Sequence, residues 1–311
     1  MKLAFSTCWN SVRHRQGDEM LQEIVDLGFR AVELSHGIRL PLLDGIRRFI
    51  SDSGIAITSL HNYCPLPVDI MEAAPDCFQC TSHRPGERAR ARRHTFKTID
   101  CAAELGVKRV VLHLGSVPMS RWSRRLINGL RTGKTSDRKY LNWKEKAVSK
   151  RAELDYYHRV VEELALVTEH ARQAGVQLGI ENRVGIETFP SEQEFRRLFK
   201  DFGVDVLGYW HDFGHAQIRH HLKLVDHRQW FIEMLPHLLG CHVHDLKSPD
   251  CDHQAPFTGD TPLSELIPLV PASVPLVWEL SPSVTPVEIS AALQRWNALF
   301  KNDDESLVLS G

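Results

Sequence analysis

The stretch Gly175-Val176-Gln177-Leu178-Gly179-Ile180-Glu181-Asn182 decides how this chain is read. It is a short, mostly apolar run that opens after a glycine and ends on a carboxylate. A run this short and this continuous predicts a strand covered on both faces, as in a parallel sheet with helices on each side. In front of it, Ala152–Ala174 keeps helical spacing and is closed by Gly175, the residue type that favours the left-handed position after a helix. Behind it, Ser191 stands where an N-cap opens the next helix.

Working outward, the same unit recurs. Strands are predicted at Lys2–Thr7, Ala31–Leu34, Ile55–His61 and Val107–Leu114 before this stretch, and at Val204–Trp210, Leu238–His244 and Pro275–Leu280 after it. Amphipathic helices are expected over Asp18–Leu27, Leu42–Ser53, about Glu87–Leu105 and about Thr285–Phe300, with Pro286 at the turn that tolerates proline best. Eight strand–helix units predict an α/β fold, a single (β/α)8 TIM barrel over residues 1–300, with a polar tail at 301–311. An open doubly wound sheet is the alternative. Against it, Ser6-Thr7-Cys8-Trp9 is no glycine-rich phosphate loop after the first strand.

Composition narrows the function classes. With 42% hydrophobic and 25% charged residues the chain can build a full core, and a net charge of −1 argues against nucleic acid or membrane as a bulk partner. The stretch Arg121–Arg151 is nonetheless strongly basic, and reads as a solvated face or a lid over an anionic small substrate ahead of a DNA contact. Seven cysteines form no disulfide framework, and Cys77-Phe78-Gln79-Cys80 lacks the second pair a structural zinc site needs, so a reducing, cytoplasmic setting is expected. No signal peptide or membrane span is expected. Two long connections, His61–Arg84 and Gly115–Arg151, follow strands and would stand over the catalytic face of a barrel. Trp9 and Trp210 at strand ends read as sugar-stacking or as plain packing.

The chemistry lies where polar side chains fall on these strands. Strand three ends in His61 and strand four carries His113. Glu181 ends strand five, Asp212 follows strand six with His215 three residues on, strand seven carries His242 and His244, and strand eight holds Glu279. An unpaired carboxylate at the end of an apolar strand is costly, so three of them among imidazoles point to a shared cation rather than to a network of ion pairs.

Glu181-Asn182-Arg183, Asp212-Phe213-Gly214-His215, Cys241-His242-Val243-His244-Asp245 and Trp278-Glu279 resemble the metal-site motifs of the xylose isomerase-like barrel superfamily. That group contains sugar and sugar-phosphate isomerases and epimerases, and AP endonucleases of the endonuclease IV type. The resemblance to its ketose 3-epimerases implies Glu181, Asp212, His244 and Glu279 as ligands of one divalent ion, Mn2+, Zn2+, Co2+ or Mg2+, with a second ion as an open alternative. It implies Glu181 and Glu279 as the catalytic pair that removes and returns a proton. His244 is preferred to His242 because its spacing to Glu279 matches those epimerases, and His242 is expected one layer deeper. His61, His113, Glu187, His215 and His253 are implied as substrate-binding residues. An arginine that those epimerases use after strand seven is replaced here by Asp250, a departure that speaks against a free-ketohexose 3-epimerase.

The function these residues imply is a metal-dependent isomerase or epimerase of a sugar, sugar phosphate or related polyol or keto-sugar. A homo-oligomer is compatible with this. The alternative is a metal-dependent phosphodiester hydrolase acting on abasic DNA. There the Asp-x-His pair after strand seven would fall on Cys251-Asp252-His253, with a cysteine in the aspartate position. A lyase of a sugar pathway, or a metal-bound barrel serving as a binding partner, is a third reading without a positive sign.

Overall fold

A computed structural model describes residues 2–72, 74–119, 121–154, 156–203 and 205–300. Eight parallel strands close into a barrel: β1 (Lys2–Ser6), β2 (Ala31–Leu34), β3 (Ala56–His61), β4 (Arg109–Leu112), β5 (Gln177–Glu181), β6 (Leu207–Asp212), β7 (Leu238–Val243) and, after a small hairpin of β8 (Asp245–Lys247) and β9 (Cys251–Gln254), β10 (Pro275–Trp278). Consecutive barrel strands pair in parallel, β10 pairs with β7, and β1 joins β10 to shut the ring. The expected α/β barrel of the TIM type is therefore the fold. The expected tail at 301–311 and the first residue of the sixth expected strand, Val204, lie outside the described residues.

The helices that cover the barrel are α1 (Gly17–Asp26), α2 (Leu43–Ser53), α3 (Pro85–Glu104), α4 (Trp122–Arg131), α5 (Arg138–Ala152), α6 (Tyr157–Ala174), α7 (Glu192–Phe202), α8 (Phe213–His221), α9 (His227–Met234), α10 (Leu263–Leu266) and α11 (Pro286–Phe300). Local signals account for their limits. Gly175 follows α6 at φ 67°, in the left-handed region where a side chain is strained. Ser191 and Glu194 form a reciprocal capping box at the start of α7, which satisfies two backbone N–H groups that the helix leaves open. No helix among the described residues is long and apolar enough to cross a membrane.

Alternation along each strand separates two cores. Phe5, Val32, Leu60, Val110, Leu112, Leu178, Ile180, Leu207, Tyr209, Val243 and Leu276 join the large cluster between strands and helices. Ala4, Val111, Trp210 and Val277, each one position out of phase, form a small cluster of their own, the floor of the barrel interior. Trp210 fills that floor only because Gly179 and Gly240 face it: a Cβ at Gly240 would fall 2.2 Å from the indole and one at Gly179 2.9 Å. Trp210 is thus packing, and so is Trp9, which is buried in the large cluster with its indole N–H donating to the Val284 carbonyl.

One expectation needs correction. The connection Gly115–Arg151, expected as a long loop, contains α4 and α5, and the helix expected from Ala152 begins at Tyr157. Leu126 and Tyr140 of this helical hairpin pack with Ile218 and Leu222 of α8 and with Leu246 of β8, a third core apart from those two. The Tyr140 hydroxyl donates to the Leu222 carbonyl, and Arg131 at the end of α4 makes a bidentate pair with Asp250.

Candidate metal centre

The strand phase that puts Trp210 on the floor puts the next inward residues at the rim. These are His61 on β3, Glu181 on β5 and Asp212 on β6, joined by His113, His244 and Glu279 just past the ends of β4, β7 and β10; all six are buried. Sequence position alone scatters them over most of the chain, and barrel closure brings them together.

Glu181 is held from one side. Its Oε2 lies 2.8 Å from His113 Nε2 and 3.2 Å from His61 Nε2. Arg183 donates to His113 Nδ1 and also to Asp76, whose carboxylate lies 3.4 Å from the same ring nitrogen. The other carboxylate oxygen, Oε1, is buried and has no hydrogen-bond partner among the described residues. It faces His215 Nδ1 at 3.3 Å and His242 Nδ1 at 3.4 Å.

Asp212 has two tasks. Its Oδ1 accepts from the His215 backbone N–H and caps α8, and its Oδ2 lies 3.0 Å from His244 Nε2. Asn182 fixes its backbone, donating to the Asp212 carbonyl and accepting from the Asp212 N–H. The motif Asp212-Phe213-Gly214-His215 has a steric reason as well. A Cβ on Gly214 would fall 2.0 Å from the His244 ring, so only glycine lets the imidazole lie against the first turn of α8. Glu279 Oε2 lies 3.1 Å from His242 Nδ1 and 3.7 Å from His253 Nε2.

The charge states follow from these neighbours. Burial works against ionising Glu181, yet His113 and His242 beside it hold the carboxyl well below its usual range; Glu279 is held down likewise by His242 and His253. Burial also opposes charge on the imidazoles. Glu181 nevertheless raises His61, Asp212 and Glu181 raise His215, and Glu279, Glu33 and Glu181 raise His242 well above the ordinary value. For His253, Asp252 and Glu279 do the same.

Among the described residues, two four-residue groups have one donor atom each within 4.8 Å of one another: Glu181, Asp212, His242 and Glu279, and Asp212, His215, His244 and His253. Two overlapping triads there, His36, His61 and Glu279, and His61, Glu181 and His242, meet the same measure. The expected ligands Glu181, Asp212 and Glu279 fall in the first group, and His244 joins Asp212 in the second. The residues fit a divalent cation, because a buried carboxylate oxygen with no hydrogen-bond partner among the described residues stands among three carboxylates and several imidazoles, a donor set suited to such an ion. Of the expected substrate-binding residues, His61, His113, His215 and His253 line this cluster. Glu187 stands outside it, its carboxylate accepting from the Ser123 backbone N–H and hydroxyl at the start of α4. Cys251 is exposed and joins neither group, while Asp252 lies 3.1 Å from His253 Nδ1.

Sequence reasoning missed Glu33, Asp76 and Asp252. Glu33 had the same signal as Glu181, an acid within an apolar strand (Ala31-Val32-Glu33-Leu34), but it sits inside the strand rather than at its end. A separate cavity of about 440 Å³ opens on the flank, but it lies away from the rim and its arginines are paired, Arg151 with Glu194 and Arg219 with Glu192.

Comparison with known proteins places this geometry. The sequence model of the family described as xylose isomerase-like TIM barrel matches residues 21–273. No curated protein matches the chain in sequence. Among solved structures, it is similar to a D-tagatose 3-epimerase-like protein at 15% identity and a TM-score of 0.67, covering 95% of this chain and 96% of that one. A 3-keto-D-glucoside 4-epimerase from E. coli superposes with a TM-score of 0.65 at 13% identity, over 96% and 99% of the two chains. A xylose isomerase domain protein from Planctomyces limnophilus gives 0.64 at 15% identity, over 96% and 95%. At such identities the likeness is one of fold.

Proposed function

We propose, because the chain belongs to the xylose isomerase-like TIM barrel family, that it is a metal-dependent isomerase or epimerase of a sugar, sugar phosphate or related polyol or keto-sugar. The observation that carries this reading is the pair of buried carboxylates, Glu181 and Glu279, whose Oε1 and Oε2 atoms flank one imidazole nitrogen at 3.4 and 3.1 Å. Two ionised carboxylates facing a common space are what proton removal from one side of a carbon and return to the other side require. The similarity to proteins described as epimerases adds support of the same kind.

Glu181, Asp212 and Glu279 would hold the ion, with His244 as the imidazole ligand. A divalent cation held there would supply Lewis acidity to neighbouring carbonyl and hydroxyl oxygens of a substrate and so acidify the C–H between or beside them. Glu181 or Glu279 then takes that proton and the other delivers one, so the substrate leaves with its atoms unchanged in number and one centre inverted or a carbonyl moved. His61 and His113 keep Glu181 turned to the reacting carbon, and His215 orients a substrate hydroxyl. Incubation with a panel of ketoses and their phosphates in 2H2O tests this. The expected result is one solvent deuteron at the epimerised or isomerised carbon; a product formed without any exchange, or no product from the metal-loaded protein across the panel, removes the reading.

A phosphodiester hydrolase draws its support from the second ligand group, which shares Asp212 with the first. It would show as nicking of abasic DNA by protein holding more than one ion. The exposed Cys251, in the position where that chemistry wants a carboxylate, weighs against it.

A further inference from the structure

The ligand reading leaves one buried pair without a task. Glu33 on β2 is fully buried, 0% exposed, and its carboxylate accepts from the Ser6 hydroxyl at 3.1 Å and the Ser59 hydroxyl at 2.7 Å. Both of its oxygens also lie within hydrogen-bond distance of His242 Nε2, at 3.1 and 3.2 Å. A carboxylate so surrounded by donors fixes the ring: the Nε2 proton of His242 is directed at Glu33, and the opposite nitrogen is turned the other way.

That opposite nitrogen, Nδ1, lies between the two carboxylates assigned to proton transfer, 3.1 Å from Glu279 Oε2 and 3.4 Å from Glu181 Oε1. Neither Nδ1 nor Glu181 Oε1 makes a hydrogen bond among the described residues. His242 therefore touches both arms of the centre while being anchored from beneath by a residue of a strand across the barrel. Stability alone is a weak reason for this arrangement, since a buried ion pair is commonly neutral or costly against an apolar replacement. Placement is a better one.

We propose that Glu33 and His242 form a positioning pair that sets the separation and orientation of Glu181 and Glu279 around the cation. Glu33 acts as the positioning residue, through His242. Carboxylate–imidazole units that orient ligands from behind a metal characteristically govern its affinity, and losing one costs about 10- to 100-fold. This rests on the metal-dependent reading of the barrel mouth and is independent of which sugar, if any, is turned over.

The test uses the full chain, metal-free and then titrated with Co2+. Glu33→Gln keeps the shape of the side chain but removes its charge. It is expected to weaken Co2+ binding about 10- to 100-fold and to shift the visible absorption of the Co2+-loaded protein. Ser59→Ala removes one donor to Glu33 and is expected to move the same bands in the same direction by less. Folded Glu33→Gln protein with unaltered Co2+ affinity and unaltered bands would overturn the proposal; should that variant not fold, unaltered bands in Ser59→Ala would do so. Turnover of a ketose by a Glu33→Gln protein with an unaltered Co2+ site would leave the proposed function standing and remove this inference. An altered Co2+ site in a protein that turns over no sugar would do the reverse.

Discussion

Strand β6 carries two neighbouring residues that meet very different surroundings. Asp212 faces the barrel mouth, whereas His211 faces outward into a wall formed with α9, where it pairs with the Tyr209 hydroxyl and with His227. Burial is complete on both sides, and most of the shifted histidines respond in opposite directions in the two regions; His36, packed edge-on against His61 in the mouth, is the exception, pushed down to about 3 by burial and by the neighbouring His61. In the mouth, His61, His215, His242 and His253 are raised by the carboxylates beside them. In the wall, burial pushes His211 well below the ordinary value and His227 down to about 3, with other imidazoles adding to the effect. Burial opposes the charged form in both regions, and the direction of the outcome depends on whether the neighbouring acids outweigh it.

The sharpest way to break this contrast is to neutralise the mouth. Glu181→Gln or Glu279→Gln is expected to lower kcat by about 10²- to 10⁴-fold, the usual worth of a positioned acid or base, with the circular dichroism of the fold kept. Full activity in both variants would end the proton-transfer assignment. A smaller effect is expected from chelation. Removing a divalent ion leaves Glu181, Asp212 and Glu279 crowded together, and restoring it at about a hundred times its dissociation constant is expected to raise stability by about 3 kcal/mol. A melting temperature indifferent to chelator and to added Mn2+ or Co2+ would show that no cation organises the mouth.

The wall gives the smallest and most specific effect. His227 has a folded value of about 3, below the 6.5 of an unfolded chain, so the unfolded state takes up a proton that the folded state refuses. The stability contributed by keeping it neutral is whole above about pH 6.5 and is lost as pH falls toward 3, at ~1.4 kcal/mol per pH unit. In His227→Gln the loss of stability between pH 6.5 and 4.5 is expected to be smaller than in the parent by roughly 2–3 kcal/mol. Denaturant melts at several pH values check this, and parallel curves for the two proteins would place the protonation elsewhere.

The barrel was legible because its strands are short apolar runs with punctuation at both ends: Gly54 and Gly175 close helices, and Ser191 opens one. The hairpin of α4 and α5 was not, because its hydrophobic signal is thin. Leu126 and Tyr140 are its main anchors, and they pack on α8 rather than on the barrel, amid a run of arginines and lysines that reads as solvated chain. Of the site, Glu181, Asp212 and Glu279 could be read because an acid at the end of an apolar strand is costly to bury unless positive charge or hydrogen-bond donors meet it there. Sequence spacing puts His242 and His244 on one face of β7 but does not say that Glu33, some two hundred positions earlier, turns the first of them toward Glu181 and Glu279.

The indole of Trp210, seated in the space left by Gly179 and Gly240, has a consequence for traffic. With the lower end of the tube stoppered, water and solutes have one door, and whatever the rim residues act on must arrive and depart by it. Under the proposed function, selectivity would rest with the segments that frame that door.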